Sequence, residues 1–413
     1  MPGLERIDTL LRTMGRPDQA YPSIHVAGTN GKGSVTLMIA AVLQEAGYRV
    51  GRFTSPHIHS YRERFSINGR EIEEEALKDY LHGLERKLQT IKGPAFPGVT
   101  EFELLTALAF QYFKDQQVDL AVLETGLGGT YDSTNVVSPR SSIITGVDYD
   151  HQAYLGNSLK EIASNKAGII KPGVPVIVGD MEGEAYQVIE EKARRENAAL
   201  YPARTVCQVQ RRRFSANSQI IDVKAPGIDM EEIPFSLLGD FQLQNLAVAV
   251  TALMVLEQQG YNITAGHMAS ALAGLKNPGR MELISRHPPI MLDVAHNPQG
   301  ARALNRSLKN FFPDRRRILV CGILNDKDSR SILRELGGDS RGCVVTRPEG
   351  ERGSNWRRLA EQWQSIYPDK EVRIQENIEA AVETGRKWLE AEEYLLVTGS
   401  FYILNRARAY FNE

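Results

Sequence analysis

Residues 23–34 read SIHVAGTNGKGS, and this stretch decides the fold. SIHVAG (23–28) has the apolar character of a short buried strand. TNGKGS (29–34) is a glycine-rich turn, and VTLMIAAVLQEAG (35–47) is a helical pattern closed by Gly47. The next strand, Tyr48 to Thr54, completes a βαβ unit. Glycines between a buried strand and a helix let backbone N–H groups close around phosphate oxygens, and the helix N-terminus adds partial positive charge. Thr29, Asn30, Gly31, Lys32, Gly33 and Ser34 are therefore candidate nucleotide contacts, with Lys32 reaching the terminal phosphates and Ser34 ligating Mg²⁺. The strict pattern G-x-x-x-x-G-K-[ST] is not met, because Val26 stands where its first glycine belongs and Gly33 intervenes before Ser34. A structural turn is the alternative, but it gives little reason for a lysine flanked by glycines at a helix start.

Working outward, VDLAVLET (118–125) reads as a buried parallel strand running into the turn GLGG, and SSIITGV (141–147) as another, followed by the acidic DYDH. Helical patterns cover 71–92, 100–114 and 159–167, and Pro172–Gly173 stops the last before the strand VPVIVGD. Residues 200–235 alternate polar and apolar, which suits antiparallel strands with one wet face. Helices are expected over 242–259 and 264–275, then the break KNPGR. Strand–helix alternation resumes with IMLDVAH (290–296), a helix over 300–311, RILVCGI (317–323), GCVVTR (342–347) and YLLVTGS (394–400). The expected fold is α/β: a P-loop nucleotide-binding domain over 1–276, with a mostly parallel sheet plus a small antiparallel sheet, followed by a second Rossmann-like α/β domain over 277–413. The boundary falls near Lys276 to Pro278.

The bulk properties narrow the class. A chain of 413 residues with 42% hydrophobic and 24% charged residues is a globular protein of two or three domains. Its formal net charge of −2 gives no whole-chain footprint for nucleic acid, and Arg211 to Arg213 read as a solvated loop or strand end. Cys207, Cys321 and Cys343 show neither metal-ligand spacing nor a disulfide framework, which fits a reducing compartment. MPGLERIDTLL carries charges where a signal peptide needs an apolar run. The longest apolar stretch, Leu246 to Leu256, falls far short of the ~20 residues of a membrane span. The expectation is a cytoplasmic protein with no membrane and no nucleic-acid partner.

Ligands bind outside the carboxyl ends of strands in open α/β sheets. Glu124 ends one such strand and His151 follows another, so a carboxylate and an imidazole lie beside the phosphate turn and suit a divalent cation. The alternative for Glu124 is structural, since strand-end carboxylates also cap helices. In the second block, Asp293 and His296 end the first strand, and Ser400 and Tyr402 the last. His296 has a purely structural alternative.

HVAGTNGKGSV resembles the nucleotide loop of the Mur ligase superfamily and, within it, of the folylpolyglutamate synthase/dihydrofolate synthase family. Further motifs follow in the family's order: SPHI with RERF-x-I-N-G (55–69), TEFE (100–103), VLETGLGGTYDSTNVV (122–137), DH (150–151), KAGIIK (166–171), GDFQLQN (239–245), NPGRMELI (277–284), LDVAHNPQG (292–300), GILNDKD (322–328) and TGSFY (398–402). The resemblance implies an ATP-dependent acid–amino-acid ligase. It adds L-glutamate to dihydropteroate, to (poly)glutamylated tetrahydrofolate, or to both, through an acyl phosphate, releasing ADP and phosphate. It implies two Mg²⁺ ions, one near Ser34, Ser55 and Glu124, the other near Glu124, His151 and a carbamylated Lys166. It implies adenine, phosphate and ribose contacts at Asn245, Arg280 and Asp293, glutamate contacts at His296, Ser400 and Tyr402, and catalytic roles for Lys32, Lys166 and His296. The loop 126–135 is the candidate folate site, with Asp132 and Thr134 as its contacts, and the family suggests a monomer. Thr130–Tyr131 stands where bacterial members commonly have Arg-Leu, and Asn165 where they have Glu. Those departures keep open a second reading, a Mur-type ligase for a non-folate carboxylate.

Overall fold

The computed structural model describes residues 3–91, 98–214 and 218–412. Residue 92 of the expected 71–92 helix, residues 215–217 of the expected antiparallel stretch, and Met1, Pro2 and Glu413 at the ends of the expected domains lie outside the described residues. The chain divides into two compact units. One comprises Met1–Arg213, Ile220–Phe235 and Gln242–Leu275, and the other Phe214–Gln219, Ser236–Phe241 and Lys276–Glu413. The two short excursions into the second unit have no signal in the hydrophobic pattern.

The first unit is built on eight strands: β1 (Ser23–Ala27), β2 (Val50–Phe53), β3 (Phe65–Ile67), β4 (Arg70–Glu71), β5 (Leu120–Glu124), β6 (Ser141–Ile144), β7 (Val176–Val178) and β8 (Leu200–Pro202). Their order is β4-β3-β2-β5-β1-β6-β7-β8. All neighbours run parallel except the β2–β3 and β3–β4 pairs at one edge. The chain first builds outward on one side of β1 and then on the other, so the order reverses at β1, and a crevice opens there at the carboxyl ends. Every residue of β1, β5 and β6 is buried, which is why these segments read as unbroken apolar runs. On one side, the helices Glu5–Thr13, Glu74–Thr90 and Glu101–Asp115 contribute Ile7, Leu11, Leu84, Leu105, Phe110 and Phe113 to a core. Burying each such side chain stabilises the unit by roughly 1.5–3 kcal/mol. Helix Glu101–Asp115 starts at a capping box in which Thr100 and Glu103 bond each other's backbone N–H. A second core gathers Ile144, Ile169, Val176, Val178 and Ile189.

The alternating stretch forms a three-stranded sheet of β9 (Gln208–Phe214), β10 (Gln219–Ala225) and β11 (Ile228–Phe235), in the order β11-β10-β9. Leu246 to Leu256 lies inside helix Asp240–Gln258 and is buried throughout, so the longest apolar run is a core helix. Among the described residues, no helix is long and apolar enough to cross a membrane.

The second unit has six strands: β12 (Glu282–Arg286), β13 (Pro289–Asp293), β14 (Arg316–Cys321), β15 (Ser340–Val345), β16 (Glu371–Ile374) and β17 (Glu393–Thr398), in the order β12-β13-β17-β14-β15-β16. Only β12 is antiparallel. Two apolar clusters pack the unit, one around Met291, Leu319 and Trp363, the other around Leu292, Val320 and Leu404. Within this core the guanidinium of Arg317 is buried. It donates to the Leu336 carbonyl, Ser340 Oγ at 3.1 Å, Tyr394 Oη at 3.2 Å and Asn305 Oδ1 at 2.7 Å.

Candidate active site

Lys32 opens helix Lys32–Glu45, whose N-cap is Gly31 in the left-handed region with φ +87°. A Cβ there would meet Asn245 Oδ1 at 2.3 Å, so the Asn245 side chain lies directly on the turn. Asn245 Nδ2 donates to Gln242 Oε1 at 3.0 Å, while the buried Gln242 Nε2 has no partner among the described residues. The turn is fixed from the other side by the chain that leaves β6. Strand 141–147 was expected whole, but it stops at Ile144, and the residues beyond serve the turn. Thr29 N donates to the Gly146 carbonyl at 2.9 Å, Asp148 N to Thr29 Oγ1 at 3.0 Å, and Thr145 Oγ1 to the Asn30 carbonyl at 2.6 Å. Lys32 Nζ folds back on the Gly28 and Thr29 carbonyls at 3.1 and 3.3 Å, which holds the ammonium at the mouth of the turn.

Glu124, at the end of β5, is buried against this first turn. Its Oε2 lies 3.4 Å from where a Cβ on Gly33 would stand, and Ser34 is buried beside it. The same oxygen accepts from Ser55 N at 3.4 Å. The structure thus brings Glu124 to Ser55 and to the helix start that carries Ser34. Hard oxygen donors next to a phosphate turn fit Mg²⁺, which keeps several waters and shares substrate phosphates. Among the described residues, no three His, Cys, Asp or Glu side chains are gathered as a metal-binding group.

His151 precedes helix Gln152–Leu155 with φ +50°, a left-handed backbone held by Asp150, whose Oδ1 accepts from His151 N at 2.9 Å. Lys166 ends helix Leu159–Lys166 with only 2% of its surface exposed. Burial pushes its ammonium down to about 7, Lys32 repels it further, and Asp150 and Asp132 oppose the shift. Those influences place Lys166 within electrostatic reach of the phosphate turn. Asp150 belongs to the DH motif, but sequence reasoning gave it no role.

The loop 126–135 is tied to the helix that carries Lys166. Gly129 N donates to Asn165 Oδ1 at 3.0 Å, and Thr130 N and Oγ1 both donate to the Asn165 carbonyl at 2.9 Å. A Cβ on Gly129 would lie 2.8 Å from the Asn165 and Lys166 carbonyls, so the two backbones touch. Asn135 Nδ2 bonds the Thr130 and Gly168 carbonyls, and Lys171 Nζ the Asn135 carbonyl. Asp132 is buried. Its Oδ1 accepts from Thr134 N and Thr134 Oγ1, and its Oδ2 from Leu127 N at 2.8 Å. Burial raises its carboxyl, and these donors offset part of the rise. The exposed side chains of the loop are Leu127 and Tyr131.

The second unit forms its own group. Parallel strands β13 and β17 pair Asp293 with Thr398, so His296 and Ser400 leave the sheet at one edge. Asp293 accepts from Met281 N at 2.9 Å and Ala295 N at 2.8 Å, and burial raises its carboxyl against the pull of Arg280. Arg280 stands 5.3 Å from the Phe401 ring centre, and the His296 ring 6.0 Å from it. Ser400 Oγ accepts from Tyr402 N at 3.1 Å, and the Tyr402 ring is exposed. Phe401, around which the group assembles, was missed because an aromatic residue at a helix start reads as core.

Residues 26–253 match the Mur ligase middle domain, and residues 279–401 the Mur ligase glutamate ligase domain. The dihydrofolate synthase/folylpolyglutamate synthase of Bacillus subtilis is 34% identical over 98% of this chain and 94% of that protein. The enzyme of the same description from Escherichia coli is 31% identical over 97% of this chain and 89% of that protein. The crystal structure of Mycobacterium tuberculosis folylpolyglutamate synthase complexed with ADP and AMPPCP superposes with a TM-score of 0.94 at 32% identity, covering 100% of this chain and 96% of that one. E. coli FolC in complex with DHPP and ADP gives 0.88 at 28% identity, covering 100% and 94%. Identity at this level along both units shows that the chain belongs to the folylpolyglutamate synthase/dihydrofolate synthase family of the Mur ligase superfamily.

Proposed function

We propose that this protein is an ATP-dependent ligase that joins L-glutamate to a pteroyl carboxylate, that of dihydropteroate, of a tetrahydrofolate (poly)glutamate, or of both. The observation that carries the reading is the loop 126–135 fastened through Asn165 to the helix of Lys166. That clasp holds the candidate acceptor site at a fixed distance from the candidate phosphoryl-transfer site.

A carboxylate is a poor acyl donor because it is anionic and its leaving group would be oxide. Transfer of the γ-phosphoryl of ATP gives an acyl phosphate, from which phosphate departs when the amine of glutamate attacks. The products are an amide, ADP and phosphate. The N–H groups of the turn 29–34 and the start of helix Lys32–Glu45 cradle the phosphates, and Lys32 offsets the charge that gathers as two anions approach. Asn245, Arg280 and Asp293 are the proposed adenine, phosphate and ribose contacts; Asp293 keeps lone pairs beyond its two backbone bonds. Mg²⁺ bound at Ser34, Ser55 and Glu124, and a second ion at Glu124, His151 and Lys166, would supply Lewis-acid charge neutralisation. Lys166 suits this set as its carbamate: the neutral amine adds CO₂ and releases one proton, turning a repelling cation into an anionic oxygen donor. Its burial and its value of about 7 support that form. In the acceptor loop, Asp132 and Thr134 address the pterin, with Tyr131 and Leu127 exposed beside them. His296, Ser400 and Tyr402 are the proposed glutamate contacts, and His296 also the proposed catalytic group of the second unit. The enzyme acts as a cytoplasmic monomer, where ATP and reduced folates occur and its three cysteines stay thiols.

A Mur-type ligase for another carboxylate is the second reading, favoured only by Thr130–Tyr131 at the acceptor loop. Glutamate-dependent ADP release, run with dihydropteroate and with tetrahydrofolate and read by product mass, decides between them. Activity with either is the expected result; activity with neither, while another carboxylate turns over, overturns the folate assignment.

A further inference from the structure

We propose that His25 is a positioning residue for the acceptor: from inside β1 it holds Thr134 and, through it, the Asp132 carboxylate in the arrangement that receives the pterin. The inference rests on the reading of 126–135 as the acceptor loop.

His25 is fully buried in the middle of the strand that ends at the phosphate turn. Its Nε2 lies 2.8 Å from Thr134 Oγ1. The Thr134 hydroxyl has one proton and gives it to Asp132 Oδ1, so it must accept from His25. That fixes the tautomer: Nε2 carries the hydrogen and Nδ1 a bare lone pair. Burial, with Lys171 adding to it, depresses the ring to about 3, so the imidazole is neutral. Nδ1 is buried and has no partner among the described residues. Leaving a buried acceptor unsatisfied costs about 1–3 kcal/mol, and an apolar residue of similar volume would avoid it. That cost offsets most of what the Nε2–Thr134 bond contributes to folding. What the ring supplies is one directed N–H. It forces the Thr134 hydroxyl toward Asp132, while Leu127 N holds the other carboxylate oxygen. The carboxylate is thereby fixed across the loop, and β1 sets the position of the acceptor loop as well as of the phosphate turn.

The test compares His25→Leu, His25→Gln and Thr134→Val with wild type in steady-state kinetics with dihydropteroate or tetrahydrofolate, alongside urea unfolding. His25→Leu is expected to raise the acceptor KM about tenfold or more, with the KM for ATP and the unfolding midpoint little changed. His25→Gln, whose amide N–H reaches the place of Nε2, is expected to recover most of the loss. Thr134→Val removes the proposed pterin contact together with the relay and so sets the upper size of the KM rise. The positioning role itself is read from His25→Leu against His25→Gln or, if His25→Leu folds poorly, from His25→Gln alone, whose acceptor KM should stay near wild type. An unchanged acceptor KM in folded His25→Leu, or a Gln variant no better than Leu, overturns the proposal. Tyr131→Ala separates the two layers. If it raises the acceptor KM while the His25 variants do not, the positioning role fails and the loop assignment stands. If no variant moves that KM, the loop assignment itself fails.

Discussion

Lys166 should make both stability and activity depend on pH and CO₂ in a way that an ordinary lysine would not. In the metal-free, CO₂-free protein its ammonium titrates near 7, because burial removes its hydration and Lys32 repels it. At pH 7 about half of the side chain is then neutral amine, against roughly one part in three thousand for a solvated lysine. Only the neutral amine adds CO₂, so the reactive population is about a thousandfold larger than at a surface lysine. The same depression has a stability sign. Between about 7 and the ordinary lysine value, the unfolded chain binds a proton that the folded chain does not, so stability rises with pH through that window. Below about 7 the burden of the buried ammonium is fully present. A shift of this size corresponds to roughly 4–5 kcal/mol, with solvent relaxation reducing the observed value. The assay is urea unfolding of wild type and Lys166→Met from pH 6 to 10 in degassed, chelated buffer. Wild type should gain stability with pH relative to Lys166→Met, and the variant should be the more stable at pH 6. In parallel, bicarbonate should restore activity to CO₂-depleted wild type, and carbon-13-labelled bicarbonate should give a carbamate resonance absent from Lys166→Met. Parallel pH profiles, together with activity indifferent to CO₂, would refute both the desolvation and the carbamate.

Two further outcomes are expected. Gly31→Ala places a Cβ where Asn245 Oδ1 stands 2.3 Å away and forces a left-handed backbone costing about 1–2 kcal/mol, so calorimetry should show ADP binding weakened at least about tenfold with the circular dichroism unchanged. Arg317→Met takes a donor from Tyr394 and Asn305 inside the second unit, while Ser340 Oγ still donates to the Leu336 carbonyl, so urea unfolding should show a loss of about 1–3 kcal/mol while the folded enzyme keeps its KM for ATP.

The parts of this protein legible in its sequence are those that repeat a local rule. A buried parallel strand must be apolar on both faces, so β1, β5, β6, β13, β14 and β17 announce themselves. A turn able to cradle phosphate must be glycine-rich and open a helix, so the candidate turn at 29–34 stands out likewise. Edge elements lack that pressure: β16 is half wet, with Glu371 and Ile374 exposed, and its pattern is too weak to separate from a loop. The end of β6 was misjudged for a related reason. SSIITGV has no charge, Pro or Asn to mark a break, yet Thr145 and Gly146 leave the sheet to bond the turn at 29–34, a demand made by residues more than a hundred positions away.

The candidate site divides along the same line. Glu124 and His151 could be singled out by their places at strand ends and Lys166 by the resemblance that KAGIIK carries, whereas Asn165, Asp150, Gln242 and His25 act by holding another group. A histidine inside an apolar strand has no local signature of purpose. Only the pairing of its Nε2 with a threonine hydroxyl already committed to Asp132, and the absence of any partner at Nδ1 among the described residues, turn it from core filler into an argument about the acceptor. Lys166 shows the converse: its identity is visible in KAGIIK, but what lowers its ammonium to about 7 is the 2% exposure and the neighbouring Lys32, both products of the folded chain. In each case residue identity names the functional group, and the fold sets its protonation, its tautomer and the direction in which it acts.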